Sequence, residues 1–496
     1  MNMTIKKLTA IFLSVLMLLG AMGSSAFAEE ADTEEMIVTT SVNDAVKRVI
    51  CTMYGDGATG RGFNWYTLTE TAADVQIVKT VDFDGTFDNA VQYTGSVSVY
   101  RSQYAHRVAV KDLTPGTAYT YRVGDAEKDM WSNPASFVTD DKDDSFKFIT
   151  IADVQASSYE NFAHAALTLR GAMEVMPDAE FYTNLGDYVN DNTNDEWDWY
   201  FDTFSFANNL MTHVPVAGNH DGNITNKFNT NCFRNTFCLD ESANQSLEGV
   251  YYSFDYGNAH IAVLNTNDMY PMTQAQRNWL INDMSNSGAM WKIVLMHRSL
   301  YSAGKNINKP DTIVMRNALL PLMDKLDIDM VYAGHDHMYL RTAQLYDEKR
   351  VENVEYITEN YNGEEVTFAV DPEGTVYALP STAGTKRYEI NEDAMPPILE
   401  VADKIFSTKS EYESGGGCFC TTEINGGKLI YKAYIVNDET QEVKLIDTYA
   451  ISKSAPGEST GTHRNQTMFI TVISQMFNFF VSIFKMLGSY FKLIGA

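Results

Sequence analysis

The chain has 496 residues, is 45% hydrophobic, and carries a formal net charge of −28 from 65 acidic against 37 basic side chains. That length suits two or three domains. The acid excess argues against a stable nucleic-acid partner, because counterion release from a phosphate backbone needs clustered Lys and Arg. In chain order, residues 1–28 read as a secretory signal peptide. Lys6 and Lys7 begin it, Leu8 to Leu19 form its apolar centre, and Ala26-Phe27-Ala28 is a small-residue cleavage site. The run is too short and wrongly flanked for a membrane span, so the expected location is outside the cell. Residues 29–44 are acidic and polar without a period and read as a flexible lead-in.

Residues 45–142 alternate in short strands separated by turn signals, the pattern of an all-β sandwich. Within them, Leu113-Thr114-Pro115-Gly116-Thr117-Ala118-Tyr119-Thr120-Tyr121 resembles the late strands of a fibronectin type III domain, with a Pro turn before a strand of alternating Tyr. The acidic run from Asp140 to Asp144 marks the next boundary.

Over residues 143–452 strands alternate with helical patterns, which predicts a layered α+β domain. From Glu160 to Met176 the apolar residues Phe162, Ala165, Ala166, Leu169, Met173 and Met176 recur at helical spacing. Trp197 to Leu210, Gln274 to Met284 and Asp311 to Leu326 read the same way. Residues 346–372 read as a charged hairpin, and the stretches from Thr375 to Leu379 and from Cys418 to Tyr449 return to strands of a second sheet. Residues 453–465 form a linker. From 466 to 496, Phe469, Ile473, Phe477, Phe480, Phe484, Leu487, Phe491 and Ile494 recur every three or four positions opposite a polar stripe. A spanning helix does not need that stripe. An amphipathic helix lying on a membrane or a partner does, and a helix docked on its own domain is the plainer alternative.

Five cysteines are an odd number, so at least one stays unpaired within the chain. Cys232 and Cys238 are close enough in sequence to bridge, whereas Cys418 and Cys420 alternate on a strand, face opposite ways, and read as ordinary buried residues.

The chemistry sits at the ends of five apolar runs, which finish in Asp153-Val154-Gln155, Gly186-Asp187, Gly218-Asn219-His220-Asp221, His297 and Gly334-His335-Asp336-His337. Carboxylate, amide and imidazole together hold a pair of divalent or trivalent metal ions, and open α/β sheets place ligand-binding side chains at strand C-termini. A lone Asp after a strand is ordinarily a cap or turn residue. Five such endings on one chain point to a binuclear site.

In this order the motifs resemble the calcineurin-like metallophosphoesterase superfamily over roughly residues 146–450, and a sandwich in front of them is the arrangement of the purple acid phosphatases. The resemblance implies an αββα metallophosphoesterase domain behind the β-sandwich. By position it assigns one metal to Asp153, Gln155, Asp187 and His337, and the other to Asp187, Asn219, His297 and His335, with Asp187 bridging. Two departures stand out. Gln155 replaces the His of many relatives and the Gly of the purple acid phosphatases, and either ligates through its amide oxygen or hydrogen-bonds a bound water. Asn190 occupies the place of the Tyr whose phenolate binds ferric iron in the purple enzymes, so a coloured ferric–phenolate centre is not expected and Fe, Mn, Zn or Mg remain open.

His220 is not needed as a ligand. The resemblance places it opposite the leaving group as a general acid or transition-state donor, with Asp221 accepting from its other ring nitrogen. His106, His164, His213 and His260 read as structural, while Arg298, Tyr301, Lys305 and Arg341 suit either substrate contact or a solvated loop. The expected protein is a secreted phosphoesterase acting on small phosphate esters through hydroxide generated at the metal pair. The alternatives are a phosphodiesterase or nucleotide hydrolase of the same fold, and a non-catalytic cell-surface binding protein.

Overall fold

Strand Ser145–Ile151 buries residues on both of its faces, which fixes it in the interior of a sheet with material on either side. The computed structural model describes residues 46–222, 230–240, 250–267, 272–393, 395–409 and 415–454. The expected signal peptide, the lead-in, nearly all of the linker and the C-terminal helix lie outside them. Among the described residues no helix is long and apolar enough to cross a membrane.

Two large sheets form the centre. In the 12-stranded sheet, Gly416–Asn425, Ser145–Ile151, Phe181–Asn184 and Thr212–Pro215 are successive neighbours. In the seven-stranded sheet, Ala259–Val263, Trp291–Arg298, Met330–Gly334 and Val376–Pro380 run side by side in parallel. The period of two decides which residues meet between the sheets. Ile293, Leu295, Met330 and Tyr332 enter the inter-sheet core, and their neighbours Val294, Met296, Val331 and Ala333 enter a second core. There they meet Leu280 and Met284 of helix Gln274–Asn286 and Met315, Leu319 and Met323 of helix Pro310–Leu326. Across the centre Phe148 stacks on Phe181 at 5.0 Å and meets Tyr332 edge-on at 5.9 Å. Each such buried aromatic side chain contributes roughly 1.5–3 kcal/mol by area alone. Helices Tyr159–Val175 and Asn194–Thr203 cover the far face of the larger sheet. The order is helix, sheet, sheet, helix, the layered architecture expected of residues 143–452.

The helical patterns fall where their apolar spacing put them, with one division. Trp197 to Leu210 is two helices, Asn194–Thr203 and Ser205–Asn208, meeting at Phe204. The charged hairpin is Glu355–Tyr361 with Glu364–Val370, and it extends the large sheet because its second strand pairs in parallel with Val443–Ser452.

The N-terminal sandwich is joined to this core more closely than a separate domain would be. One of its sheets, Lys47–Met53, Arg61–Thr67, Gln103–Val110 and Ser96–Tyr100, is the continuation of the 12-stranded sheet, with Lys47–Met53 parallel to Thr212–Pro215 at the pair Thr52 and His213. The other holds Asp74–Lys79 and Ala118–Asp125. Arg61 is fully buried at the junction. Its guanidinium donates to the carbonyls of Gly57, Gly60 and Val138 and to the Thr212 hydroxyl, which offsets the cost of burying the charge.

All five cysteines are free and buried, which corrects the expected Cys232–Cys238 bridge. Cys232, on helix Thr230–Thr236, donates to Asn192 Oδ1 at 3.0 Å, while Cys238 lies past the helix end against the Val108 carbonyl at 3.6 Å. The two thiols meet different elements.

His260 fastens strand Ala259–Val263 to its surroundings. Its Nδ1 is 2.7 Å from Asp255 and its Nε2 is 2.8 Å from Asp283. Burial alone would lower its pKa, but hydrogen bonds and charge from the two carboxylates raise it to about 9. A raised folded pKa contributes stability that is fully present below the unfolded value of about 6.5 and is lost as pH rises through about 9. His260→Gln is therefore expected to lower the unfolding free energy by on the order of 2 kcal/mol near pH 6 and by much less near pH 10. Urea unfolding at the two pH values measures it; an equal deficit at both would rule out the charged clamp.

Candidate metal centre

The inner faces of the two sheets deliver their strand ends to one place. His297 continues the inward series of Ile293 and Leu295, so the strand period itself aims its imidazole between the sheets. Its Nδ1 donates to the Leu185 carbonyl at 2.9 Å, which leaves Nε2 facing Asn219 Oδ1 at 3.0 Å and Asp187 Oδ2 at 3.4 Å. His337 has the same arrangement: Nδ1 donates to the Lys386 carbonyl, and Nε2 is 3.5 Å from Asp153 Oδ1. A backbone acceptor on one ring nitrogen fixes the tautomer and presents the other as a lone pair. His335 lies beside His297, with ring centroids 5.0 Å apart. Ligand atoms of Asp187, His297 and His335 all fall within 4.8 Å of one another.

The turns that carry these residues are strained. Asp153, Gln155, Asp187 and His335 have φ of +52°, +37°, +52° and +75°, the left-handed region that costs a non-glycine residue of order 1 kcal/mol or more. The adjoining glycines are fixed by close approach. A Cβ on Gly218 would sit 1.9 Å from the Asp187 backbone nitrogen, and one on Gly334 would sit 2.7 Å from Asp153 Oδ2. Asp153 in turn accepts the His335 backbone N–H at 2.9 Å, and Asp187 Oδ1 accepts that of His220 at 2.7 Å.

Charge is divided unevenly within this buried cluster. Burial works to raise the Asp187 carboxyl, but the charge and hydrogen bond of His297, with the charges of His220 and His335, hold it below the ordinary carboxylate range. Burial works to lower His297, but the charge and hydrogen bond of Asp187, then Asp153 and the Leu185 carbonyl, raise it to about 9. Burial, then the charges of His297 and Arg298, push His335 well below the usual imidazole range.

The donor set fits metal ions. His335 Nε2 and Gln155 Oε1 are buried without a hydrogen-bond partner, a state that costs about 1–3 kcal/mol for each group unless something ligates it. Side-chain contacts join His297 to Asp187 and Asn219, and His337 to Asp153.

His220 and Asp221 divide their work differently from the sequence expectation. Asp221 does not orient the His220 imidazole. Its buried carboxylate accepts three backbone N–H groups, from Asp187 at 3.0 Å, Tyr188 at 2.8 Å and Gly218 at 2.7 Å. It is a positioning residue that holds the two ligand turns together. The His220 Nδ1 is met by the Asn190 carbonyl at 2.5 Å. A backbone acceptor leaves no side-chain signature, so only the folded turn reveals it.

Other participants also escaped the motifs. Strand Val376–Pro380 supplies a sixth strand end, where Thr382 donates to the Asp153 carbonyl at 2.6 Å. Tyr388 stacks on His337 at 4.3 Å with the rings 11° apart. The available signal was another apolar run, Val376 to Leu379, but its polar ending, Ser381-Thr382, resembles an ordinary turn. Arg298 pairs with Asp311, and Arg341 with Asp447 and Asp403, so both are committed to carboxylates.

Comparison with known proteins gives concordant matches. The family model described as calcineurin-like phosphoesterase matches residues 146–339, and the model described as purple acid phosphatase, N-terminal domain, matches residues 46–139. Purple acid phosphatase 21 of Arabidopsis thaliana is 24% identical over 57% of this chain and 64% of its own length. Purple acid phosphatase 1 of Ipomoea batatas is 25% identical over 64% of this chain and 66% of its own. An uncharacterized protein of Mycobacterium tuberculosis is 27% identical over 30% of this chain. The chain spans about a third of the length of that protein and just under two thirds of the two plant proteins. Among solved structures, a purple acid phosphatase from yellow lupin (Lupinus luteus) seeds superposes with a TM-score of 0.65 at 16% identity, covering 84% of this chain and 78% of its own. PhoD does so with a TM-score of 0.61 at 12% identity, covering 87% and 97%. At these identities the structural likeness is one of fold.

Proposed function

We propose that this chain, which belongs to the calcineurin-like phosphoesterase superfamily and has a purple acid phosphatase N-terminal domain ahead of its phosphoesterase domain, hydrolyses small phosphate esters with a pair of metal ions. The observation that carries this reading is the convergence of Asp187, His297 and His335 within 4.8 Å, with His297 already oriented by the Leu185 carbonyl. Asp153, Gln155, Asp187 and His337 would hold one ion, and Asp187, Asn219, His297 and His335 the other. Such a pair supplies Lewis acidity for the phosphoryl oxygens and a nucleophile available near neutral pH.

The protein's own groups do the rest. Buried carboxylates joined to neighbouring backbone hold the ligands in register, so little reorganisation is left for the reaction itself. His220 donates Nδ1–H to Asn190, which leaves Nε2 outward, and as the imidazolium it gives its Nε2 proton to the departing oxygen. Asp221 keeps the Asp187 and Gly218 turns at their spacing and takes no part in proton transfer.

Asn190 stands three residues after Asp187, and its contribution is a carbonyl, not a phenolate. The adjacent Tyr188 is fully buried with its hydroxyl 2.7 Å from His213 Nε2, so it is not a replacement. The metal-replete protein is expected to show no strong visible charge-transfer band. An intense band in its absorption spectrum would require a phenolate ligand and overturn this reading of the centre.

The direct test is chelation followed by reconstitution with Mn, Fe, Zn or Mg, with metal analysis and hydrolysis of an aryl phosphate followed together. Two ions per chain and return of turnover are expected. A folded protein that never retains two ions, or that retains them without turnover on any phosphate mono- or diester, would sink the proposal.

A further inference from the structure

Beside the metal centre lies a positive cluster that the chemistry above leaves unused. Tyr388, stacked on the ligand His337, has the Lys305 ammonium 3.8 Å from its ring centroid. One aromatic ring therefore separates a surface cation from a metal-ligand imidazole. Lys386 is two residues from Tyr388, half-buried, and its carbonyl orients His337. Burial, then the charges of Lys386 and Lys309, lower the Lys305 pKa.

Lys305 and Lys309 are exposed, Lys386 is half-buried, and their like charges repel one another. Elsewhere lysines are drawn to carboxylates, as in Lys47 with Asp198, Lys147 with Asp178 and Lys432 with Glu364. Among the described residues, no carboxylate stands within ion-pair distance of Lys305, Lys309 or Lys386. The acid that does act on Lys305, Asp336, is fully buried and hydrogen-bonded by Asn306 at 2.6 Å. In a chain with 65 acidic side chains, three lysines that meet no carboxylate among the described residues, beside the proposed phosphoester site, suit an anion from outside. Both faces of Tyr388 are taken, one by His337 and the other by Lys305, so the wall offers charge and no stacking platform for a base.

We propose that Lys305 and Lys386 form a second anion subsite next to the metal centre, and that the preferred substrates are phosphate esters carrying a further phosphate group. This rests on the phosphoesterase reading above: the metal pair takes the reacting phosphate, and the lysines take the one that stays on the product. Ammonium groups act there as point charges, without the bidentate geometry an arginine would impose, which suits a phosphate attached through flexible linkages.

The test compares fructose 1,6-bisphosphate with fructose 6-phosphate on the metal-replete full-length protein. The wild type is expected to favour the bisphosphate in kcat/KM, and Lys305→Gln and Lys386→Gln are each expected to reduce that preference by about 10-fold, mainly through KM. A preference that stays within 2-fold of wild type in both variants, or a wild type that does not favour the bisphosphate, overturns the subsite. Equal losses on both sugars would mean that the lysines grip the reacting phosphate, which also overturns it. Calorimetric binding of the two sugars to the same three proteins gives a second measurement. If neither sugar is hydrolysed, the aryl phosphate assay decides the phosphoesterase reading and calorimetry decides the subsite: a bisphosphate affinity advantage that Lys305→Gln abolishes upholds it, and no such advantage overturns it.

Discussion

Asp187→Asn is expected to reduce aryl phosphate hydrolysis by at least about 10³-fold in metal-supplemented buffer, and to leave the purified protein short of its full metal content. Asp187 is the one carboxylate that the proposed centre assigns to both ions. Its Oδ2 faces His297 at 3.4 Å and its Oδ1 accepts the His220 backbone N–H at 2.7 Å. An amide of the same shape can keep the second contact through its oxygen. It brings no charge, and charge is what two closely spaced cations between histidines require. The fold should tolerate the change, because the turn is also held by Asp221 through the Asp187 and Tyr188 N–H groups. Thermal unfolding therefore separates a lost centre from a lost fold. Activity within a few-fold of wild type, with the protein folded, would sink the two-metal mechanism.

His220→Ala has a different signature. Metal content should be retained, since His220 lies outside both ligand sets, while turnover of an unactivated ester falls by about 10²–10⁴-fold. An ester with a good leaving group should lose much less, because its departing oxygen needs little protonation. That contrast distinguishes a proton donor from a residue that merely supports the turn, whose loss would slow both esters alike. If both rates fall together, or if metal is lost, the donor role is wrong. Asp221→Ala should not mimic this pattern. It strands three buried N–H groups and acts first on stability and metal retention.

The ligand residues could be recognised in the sequence because metal chemistry restricts them to a few side-chain types, and because an apolar run of four or five residues announces the strand that each one ends. Three features could not. Asn190 holds His220 through a carbonyl, and carbonyls are the same at every residue. The continuation of the sandwich sheet into the central sheet is a backbone pairing of Lys47–Met53 with Thr212–Pro215, strands more than 150 residues apart. Cys232 and Cys238 looked like partners by spacing, but Cys232 faces the loop residue Asn192, and Cys238, past the end of helix Thr230–Thr236, faces strand Gln103–Val110.

Sequence alone determined which residues have the chemistry of a binuclear centre, that strand ends present them, and that no phenolate stands at position 190. These follow from side-chain identity and local periodicity, which a linear chain carries in full. Tertiary structure decided the second contacts: which carbonyl fixes each imidazole, that Asp221 serves backbone amides instead of His220, and that Lys305, Lys386 and Tyr388 gather beside His337. Those contacts join segments distant along the chain, and their energies depend on burial and orientation that exist only once the sheets have packed.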